Sequence, residues 1–178
     1  MTPLTADERD AAFEALFQAT YARVLSYARG MADAHDADDA VAETYAIAWR
    51  RLEAVPPGVE LGWLIGVTRR VLANARRGRR RAYAVRQALG MQPPLDRPDP
   101  ADVVADDTLS QALRALRRVD REALVMVAWF DLTPAEAALA LGIGPAAFRM
   151  RLARARRRLR AVLESSPTPK EQPQWQHS

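Results

Sequence analysis

The 178-residue chain carries 26 basic and 22 acidic side chains, a formal net charge of +4, and 49% hydrophobic residues, which supports folded cores and excludes wholesale disorder. It has no cysteine, which excludes disulfides, thiolate metal sites and cysteine catalysis. Its two histidines, His35 and His177, belong to no cluster with ligand spacing, no apolar run approaches about 18 residues, and the polar start MTPLTADERD is not a signal peptide. The expectation is a cytoplasmic protein with no cofactor, no membrane insertion and no small-molecule substrate.

The first helix is expected to start at Thr5, because Thr5 and Glu8 have capping-box spacing. Phe13, Phe17, Tyr21, Val24 and Ala28 recur at helical intervals and predict one buried stripe, with Gly30 as the stop. A second helix follows in HDADDAVAETYAIAWRRLEAV. Val41, Tyr45, Ala48, Trp49 and Leu52 form its apolar face, and Asp36, Asp38 and Asp39 favour the positive end of its dipole. Pro56, Pro57 and Gly58 end it.

A third helix starts near Glu60 or Leu61, with Trp63, Leu64, Val67, Val71 and Ala75 on one face and Gly78 as a point of weakness. Its second half is strongly basic. Arg69 to Arg86 holds eight arginines and no acid. This first module spans residues 10–89. Residues 90–107 contain MQPPLDRPDPADVVADD, an acidic, proline-rich linker extended by its prolines and by charge repulsion.

The second module covers residues 108–163. Leu109, Leu113 and Leu116 predict one helix; Asp120 is the expected cap of the next, with Leu124, Val127 and Ala128 inward. Thr133-Pro134-Ala135-Glu136 is a capping box with proline at the first helical position. That helix runs to Leu141, Gly142-Ile143-Gly144 makes a tight turn, and Pro145 opens the last long helix. Phe148, Leu152, Ala155, Leu159 and Val162 form its core stripe. Residues 164–178 are expected to be a disordered tail. The predicted fold class is all-α: an N-terminal helical bundle and a C-terminal four-helix domain containing a helix-turn-helix.

Arg149 to Arg160 holds seven arginines and no acid, so 15 of the 26 basic residues lie in two short windows. Such clustering marks a polyanion binder. A helix-turn-helix places the N-terminal half of its second helix in the major groove, where arginine can bind guanine through O6 and N7 together. Arg149 and Arg154 are the best candidates for base contacts. Arg151, Arg156, Arg158 and Arg160 suit phosphates, which set register without carrying sequence information. Met150, Ala153 and Arg157 share the outward surface. In the third helix, Trp63 beside arginines suits a strand whose bases are partly unstacked, although its place on an apolar face also fits a core role.

With these residues in place, the chain resembles a bacterial sigma factor of the extracytoplasmic-function group, over roughly residues 10–163. Residues 36–49, DADDAVAETYAIAW, match the family pattern DAEDLVQETFLRAW. Residues 62–77, GWLIGVTRRVLANARR, match AWLFGIARNLLLDHLRR. The segment DLTPAEAALALGIG…FRMRLARARRRLR matches GLSYEEIAELLGIS…VKSRLHRARRRLR. Ala42 stands where glutamine is usual, Asn74 replaces a common aspartate, and Gly144-Pro145-Ala146-Ala147 replaces a hydroxyl-bearing entry to the recognition helix.

The resemblance implies a non-enzymatic promoter-specificity subunit of RNA polymerase. Residues 10–89 would melt and capture the −10 element, with Trp63, Arg69, Arg70, Asn74, Arg76 and Arg77 toward DNA and the Val55–Glu60 loop holding a flipped base. The second helix would dock on the β′ clamp helices through Asp39, Ala42 and Glu43. Residues 108–163 would read the −35 element through Arg149, Met150, Arg151, Ala153, Arg154, Arg156 and Arg157, near the polymerase β flap. An anti-sigma factor is implied as a further partner. The rival reading is a helix-turn-helix regulator that never binds polymerase; it leaves the second helix and the linker without a purpose.

Overall fold

A computed structural model describes residues 5–88 and 107–165. The linker up to residue 106, Leu89 and the tail beyond Ser165 lie outside the described residues. The described chain forms seven α-helices: α1 Ala6–Met31, α2 Ala34–Arg50, α3 Glu60–Ala88, α4 Asp107–Ala115, α5 Arg118–Ala128, α6 Pro134–Leu141 and α7 Pro145–Ser165. No strand occurs among the described residues.

Helix α1 starts as its sequence dictates. The Glu8 N–H donates to Thr5 Oγ1 at 3.3 Å, and the Thr5 N–H donates to Glu8 Oε2 at 2.9 Å. The helix does not stop at Gly30 but runs through Met31. Of its expected stripe only Val24 and Ala28 are buried, and Thr20 and Tyr27, which lay outside the stripe, are buried beside them. Phe17 and Tyr21 remain more than a third exposed, as does Trp49 of α2. These aromatics pack edgewise on one another: Phe17 meets Tyr45 at 4.8 Å and Phe13 meets Trp49 at 5.1 Å between ring centroids. Tyr45 at the centre of this group is buried, and Phe17, Tyr21 and Trp49 around it stay partly in water.

Helix α2 ends at Arg50, and the chain continues in a short 3-10 turn, Leu52–Ala54. Buried hydroxyls tie the first three helices together. Thr20 Oγ1 lies 2.9 Å from the Tyr45 hydroxyl, and Thr44 Oγ1 lies 3.0 Å from Thr68 Oγ1. Thr20 donates to the Leu16 carbonyl and accepts from Tyr45; of Thr44 and Thr68, which both lie within reach of the carbonyl four residues back, one donates to that carbonyl and accepts from the other, so each hydroxyl has a partner. Helix α3 continues unbroken through Gly78.

In the second domain, α5 is not capped by Asp120. Its N-cap is Arg117, without a side-chain hydrogen bond. Asp120 lies inside the helix at 4% exposure and accepts a hydrogen bond from Arg158 of α7. Leu124 is buried, whereas Ala128 is exposed: the apolar face turns away one residue earlier than the periodicity suggests. The two domains pack directly, α3 against α6, and one hydrophobic cluster runs from Val24 and Tyr27 through Leu64 to Phe130, Ala140 and Phe148.

Candidate nucleic-acid interface

The helix-turn-helix is built from α6 and α7. Thr133 caps α6 reciprocally with Glu136: the Glu136 N–H donates to Thr133 Oγ1 at 3.2 Å, and the Thr133 N–H donates to Glu136 Oε2 at 2.8 Å. Pro134 occupies the first turn, where no N–H is needed. Gly142 ends the helix at φ 66°, a left-handed conformation that glycine adopts without a Cβ penalty. The N–H groups of Gly142 and Ile143 return to the carbonyls of Leu139 and Ala138, each at 3.0 Å, satisfying the last turn. Pro145 then opens α7, and the Phe148 N–H makes an early helical bond to Gly144 at 3.0 Å.

Phe148, Leu152 and Ala155 of α7 are buried, and Leu159 and Val162 are packed against the same core. The opposite face is thereby set. Arg149, Met150, Ala153, Arg154, Arg156 and Arg157 are exposed, Met150 at 68%, while Arg151 is half-buried. Arg158 belongs to the structural side, because its guanidinium holds the buried Asp120 carboxylate.

Helix α3 divides its arginines in the same way. Arg70, Asn74 and Arg77 are exposed at successive turns, and Arg77 donates to the Asn74 amide oxygen. Arg76 is half-buried and donates to the Met31 carbonyl, serving one of the carbonyls left open where α1 ends. Arg79 holds Asp36 of α2. Arg69 faces the other domain: its Nε lies 2.5 Å from Glu122 Oε1 and its Nη2 3.2 Å from Oε2. Donating to the Glu122 carboxylate raises the Arg69 pKa further. Trp63 is half-buried against the core. Thus Arg70, Asn74 and Arg77 form an open polar row, while Arg69 and Arg76 are engaged within the protein. Arg80, Arg81 and Arg86 are also exposed on this helix.

On α2, Asp39, Ala42 and Glu43 are exposed on one face. Their ion pairs, His35–Asp39 at 3.7 Å and Arg50–Glu43 at 3.8 Å, lie in solvent, where such pairs hold the side chains only weakly. Residues 55–59 form the connection into α3, closed by the Gly58 N–H donating to Glu60 Oε1 at 2.8 Å. Among the described residues no His/Asp/Glu group could hold a metal ion, and no helix is long and apolar enough to cross a membrane.

Two family models fit the two domains. Residues 16–82 match sigma-70 region 2, and residues 106–159 match sigma-70 region 4. The chain is 32% identical over 139 residues to the RNA polymerase sigma factor NccH of Alcaligenes xylosoxydans xylosoxydans, covering 74% of this chain and 75% of that one. It belongs to the sigma-70 family, in the extracytoplasmic-function group. A second relative, the ECF sigma factor SigE of Mycolicibacterium smegmatis, is 31% identical over 135 residues, covering 72% of this chain and 52% of its own length. The fold resembles that of CnrH in its complex with the cytosolic domain of CnrY (27% identity, TM-score 0.58, 88% of this chain and 90% of that chain). It also resembles the sigma factor RpoE of Bartonella quintana bound to the anti-sigma factor NepR (21% identity, TM-score 0.53, 90% and 96%). As a sigma factor, the chain is a promoter-recognition subunit of RNA polymerase, which leaves the polymerase-independent regulator unfavoured.

Proposed function

We propose that this sigma factor uses α2 to dock on core polymerase, α3 to engage the −10 element and α7 to read the −35 element. The observation that carries this division is the pairing of two exposed basic helices with a third exposed face that is acidic. Arg149, Arg154, Arg156 and Arg157 stand on α7 and Arg70 and Arg77 on α3, whereas Asp39 and Glu43 stand on α2. Phosphates would attract the first two faces and repel the third.

On α7, Arg149 and Arg154 contact base edges from the N-terminal half, and Arg151, Arg156 and Arg157 neutralise phosphates. Met150 and Ala153 fill the apolar space between them. On α3, Arg70, Asn74 and Arg77 meet the −10 strand, and Trp63, Arg69 and Arg76 support that helix from its inner side. The Val55–Glu60 connection holds a base removed from the stack. On α2, Asp39 and Glu43 pair with basic side chains of the β′ clamp helices, and Ala42 allows close approach between them. The β flap receives the second domain. An anti-sigma factor is a further partner, as NepR is for the Bartonella RpoE. The protein works in the cytoplasm and carries no catalytic centre of its own.

The division is tested by the double charge reversal Asp39→Arg/Glu43→Arg. Loss of binding to purified core polymerase with retained binding of the isolated chain to basic-face probes such as heparin supports it. Unchanged polymerase binding sinks the α2 assignment.

A further inference from the structure

The start of α1 and the end of α2 meet at one end of the first domain. They enclose a cavity of about 450 Å³ lined by Arg9, Arg50, Arg51, Leu52, Glu53 and Ala54. Its lining thus holds three guanidiniums and one carboxylate. From outside this group Glu43 reaches Arg50 at 3.8 Å, with both side chains more than half exposed, so water screens the pair and holds it loosely. The Arg51 side chain is exposed.

The dipole of α2 favours cations at its C-terminal end and accounts for Arg50 and Arg51. It does not account for Arg9, which stands in the first turns of α1 beside Asp7 and Glu8, where a dipole favours acids. Arg9 is placed from α2 instead. Its Nη2 donates to the Trp49 carbonyl at 2.7 Å, one of the carbonyls that a helix end leaves open. Its guanidinium carbon lies 5.2 Å from the centroid of the Trp49 ring, within cation–π range. Trp49 is held edge-on by Phe13 at 5.1 Å. A guanidinium carries several N–H donors in a planar fork, and the Trp49 carbonyl takes one. The Arg51 backbone N–H closes α2 on the Ile47 and Ala48 carbonyls at 3.0 and 3.2 Å. The backbones that carry Arg9 and Arg51 are therefore set before any ligand arrives, which lowers the cost of binding one.

The cavity adjoins the connection into α3. Leu52–Ala54 form a 3-10 turn, and Val55 follows directly. At about 2 Å of rise per residue in such a turn, Arg51 stands on the order of 8–10 Å from Val55. A stacked strand advances about 3.4 Å per nucleotide, so that distance is about two or three nucleotides. On the other side of the connection, the exposed Arg70 lies about 15 Å along α3 from Glu60.

Resting on the promoter reading above, we infer that Arg9, Arg50 and Arg51 form a phosphate site for the unpaired −10 strand, beyond the base held by the Val55–Glu60 connection. Guanidiniums bind phosphate oxygens through paired N–H groups. An unpaired strand can bend its backbone into a concave cleft, whereas paired DNA carries its phosphates on a stiff duplex. The strand is gripped on both sides of the captured base, by the Arg70 row on one side and by this cavity on the other.

The test uses holoenzyme and DNA with an unpaired bubble over the −10 region of a promoter defined by its mapped start sites. The same sequence fully paired is the control. Fluorescence anisotropy across salt concentrations gives affinity and slope. Arg51→Gln is expected to bind the bubble roughly tenfold more weakly and to leave paired DNA unaffected. Its salt slope is expected to flatten by about 0.7, the value of one single-strand phosphate. Arg9→Gln is expected to behave alike; because Arg9 also serves Trp49, circular dichroism checks its fold, and Arg51→Gln decides the matter if it fails. A methylphosphonate, which removes the charge of one linkage, is then scanned along the unpaired strand. One linkage about two or three nucleotides from the captured base is expected to weaken unaltered holoenzyme and to add nothing to Arg51→Gln.

Equal losses on paired and bubble DNA, or no linkage that distinguishes the two proteins, overturns the site. Titration of inorganic phosphate into the free chain separates the other source of this anion: uptake that Arg51→Gln abolishes, with bubble affinity unchanged, makes the cavity a free-anion site and overturns the strand assignment. Arg70→Gln/Arg77→Gln separates the site from the reading beneath it. If that variant weakens bubble binding while Arg9→Gln and Arg51→Gln do not, the cavity alone loses its role. If none of the three weakens it, the −10 assignment falls and the site with it.

Discussion

The Arg158 guanidinium of α7 holds the Asp120 carboxylate of α5 across the core of the second domain, with the Asp120 side chain 5% exposed and that of Arg158 43% exposed. The pair fixes the roll of the recognition helix and thereby which arginines face outward. Its two halves are unequal in what they leave behind when the other is removed. Arg158→Ala strands a buried carboxylate and is expected to cost about 3 kcal/mol. Asp120→Ala leaves a cation that can turn to water and is expected to cost about 1 kcal/mol. Urea unfolding of both single variants and the double variant measures the difference; equal costs would show that the carboxylate is not stranded.

Arg149→Ala and Arg154→Ala are each expected to lower affinity for the chain's own promoter by about 1–3 kcal/mol relative to unrelated DNA, if they bind bases. Arg156→Ala is expected to weaken binding to all DNA alike and to flatten the salt dependence by about one phosphate contact, a slope change of roughly 0.9. Fluorescence anisotropy at several salt concentrations separates the two behaviours. Uniform weakening by Arg149→Ala would move that residue to the phosphate-binding set.

The cap of α1 predicts a pH effect with a definite sign. The Thr5 backbone N–H and hydroxyl hydrogen bonds hold the Glu8 carboxyl below its ordinary value. Because the folded pKa is the lower one, the cap's contribution is fully present above the unfolded value and is lost as pH falls through the folded one. Thr5→Ala removes the hydroxyl and keeps the backbone N–H, so an NMR titration of Glu8 is expected to give a depressed pKa that returns only part of the way toward 4.5 in that variant. A full return would mean that the hydroxyl alone holds the carboxylate, and no return that the backbone N–H does.

At the alkaline end, burial pushes Tyr45 up to about 12 and Tyr27 further above its ordinary value, with the Glu122 carboxylate adding to the effect. Unfolding releases these protons, so stability declines as pH rises past about 10, where the unfolded chain ionises first. Thermal unfolding between pH 9 and 11 is expected to show the decline, and Tyr45→Phe is expected to reduce it. A Tyr45→Phe chain with the same pH slope would refute the assignment to this side chain.

The helices and both capping boxes were legible because their signals are local. Thr5 with Glu8, and Thr133 with Pro134 and Glu136, satisfy neighbours within one turn, and Gly142 takes the conformation its position demands. The roles of arginines were less legible, because their partners are remote in sequence. Arg69 finds Glu122 53 residues away, and Arg158 finds Asp120 38 residues away. Asp120 was expected as the cap of a helix; three-dimensional packing placed it inside α5. Arg70, Asn74 and Arg77 could be separated from Arg69 and Arg76 only by knowing which face of α3 meets α1 and α6. One signal was present and unread: Gly62 and Gly66, four residues apart in the apolar first turns of α3, mark a face that another backbone can approach.

The central claim is that this chain directs core polymerase to promoters through two separated DNA elements. The most direct measurement is run-off transcription with purified core polymerase, the folded chain and fragmented genomic DNA, with transcript starts sequenced. The account predicts discrete starts that depend on the chain and share two upstream motifs a little over two helical turns apart, and fewer starts with Asp39→Arg/Glu43→Arg. Absence of chain-dependent starts, or starts sharing only one motif, would contradict it.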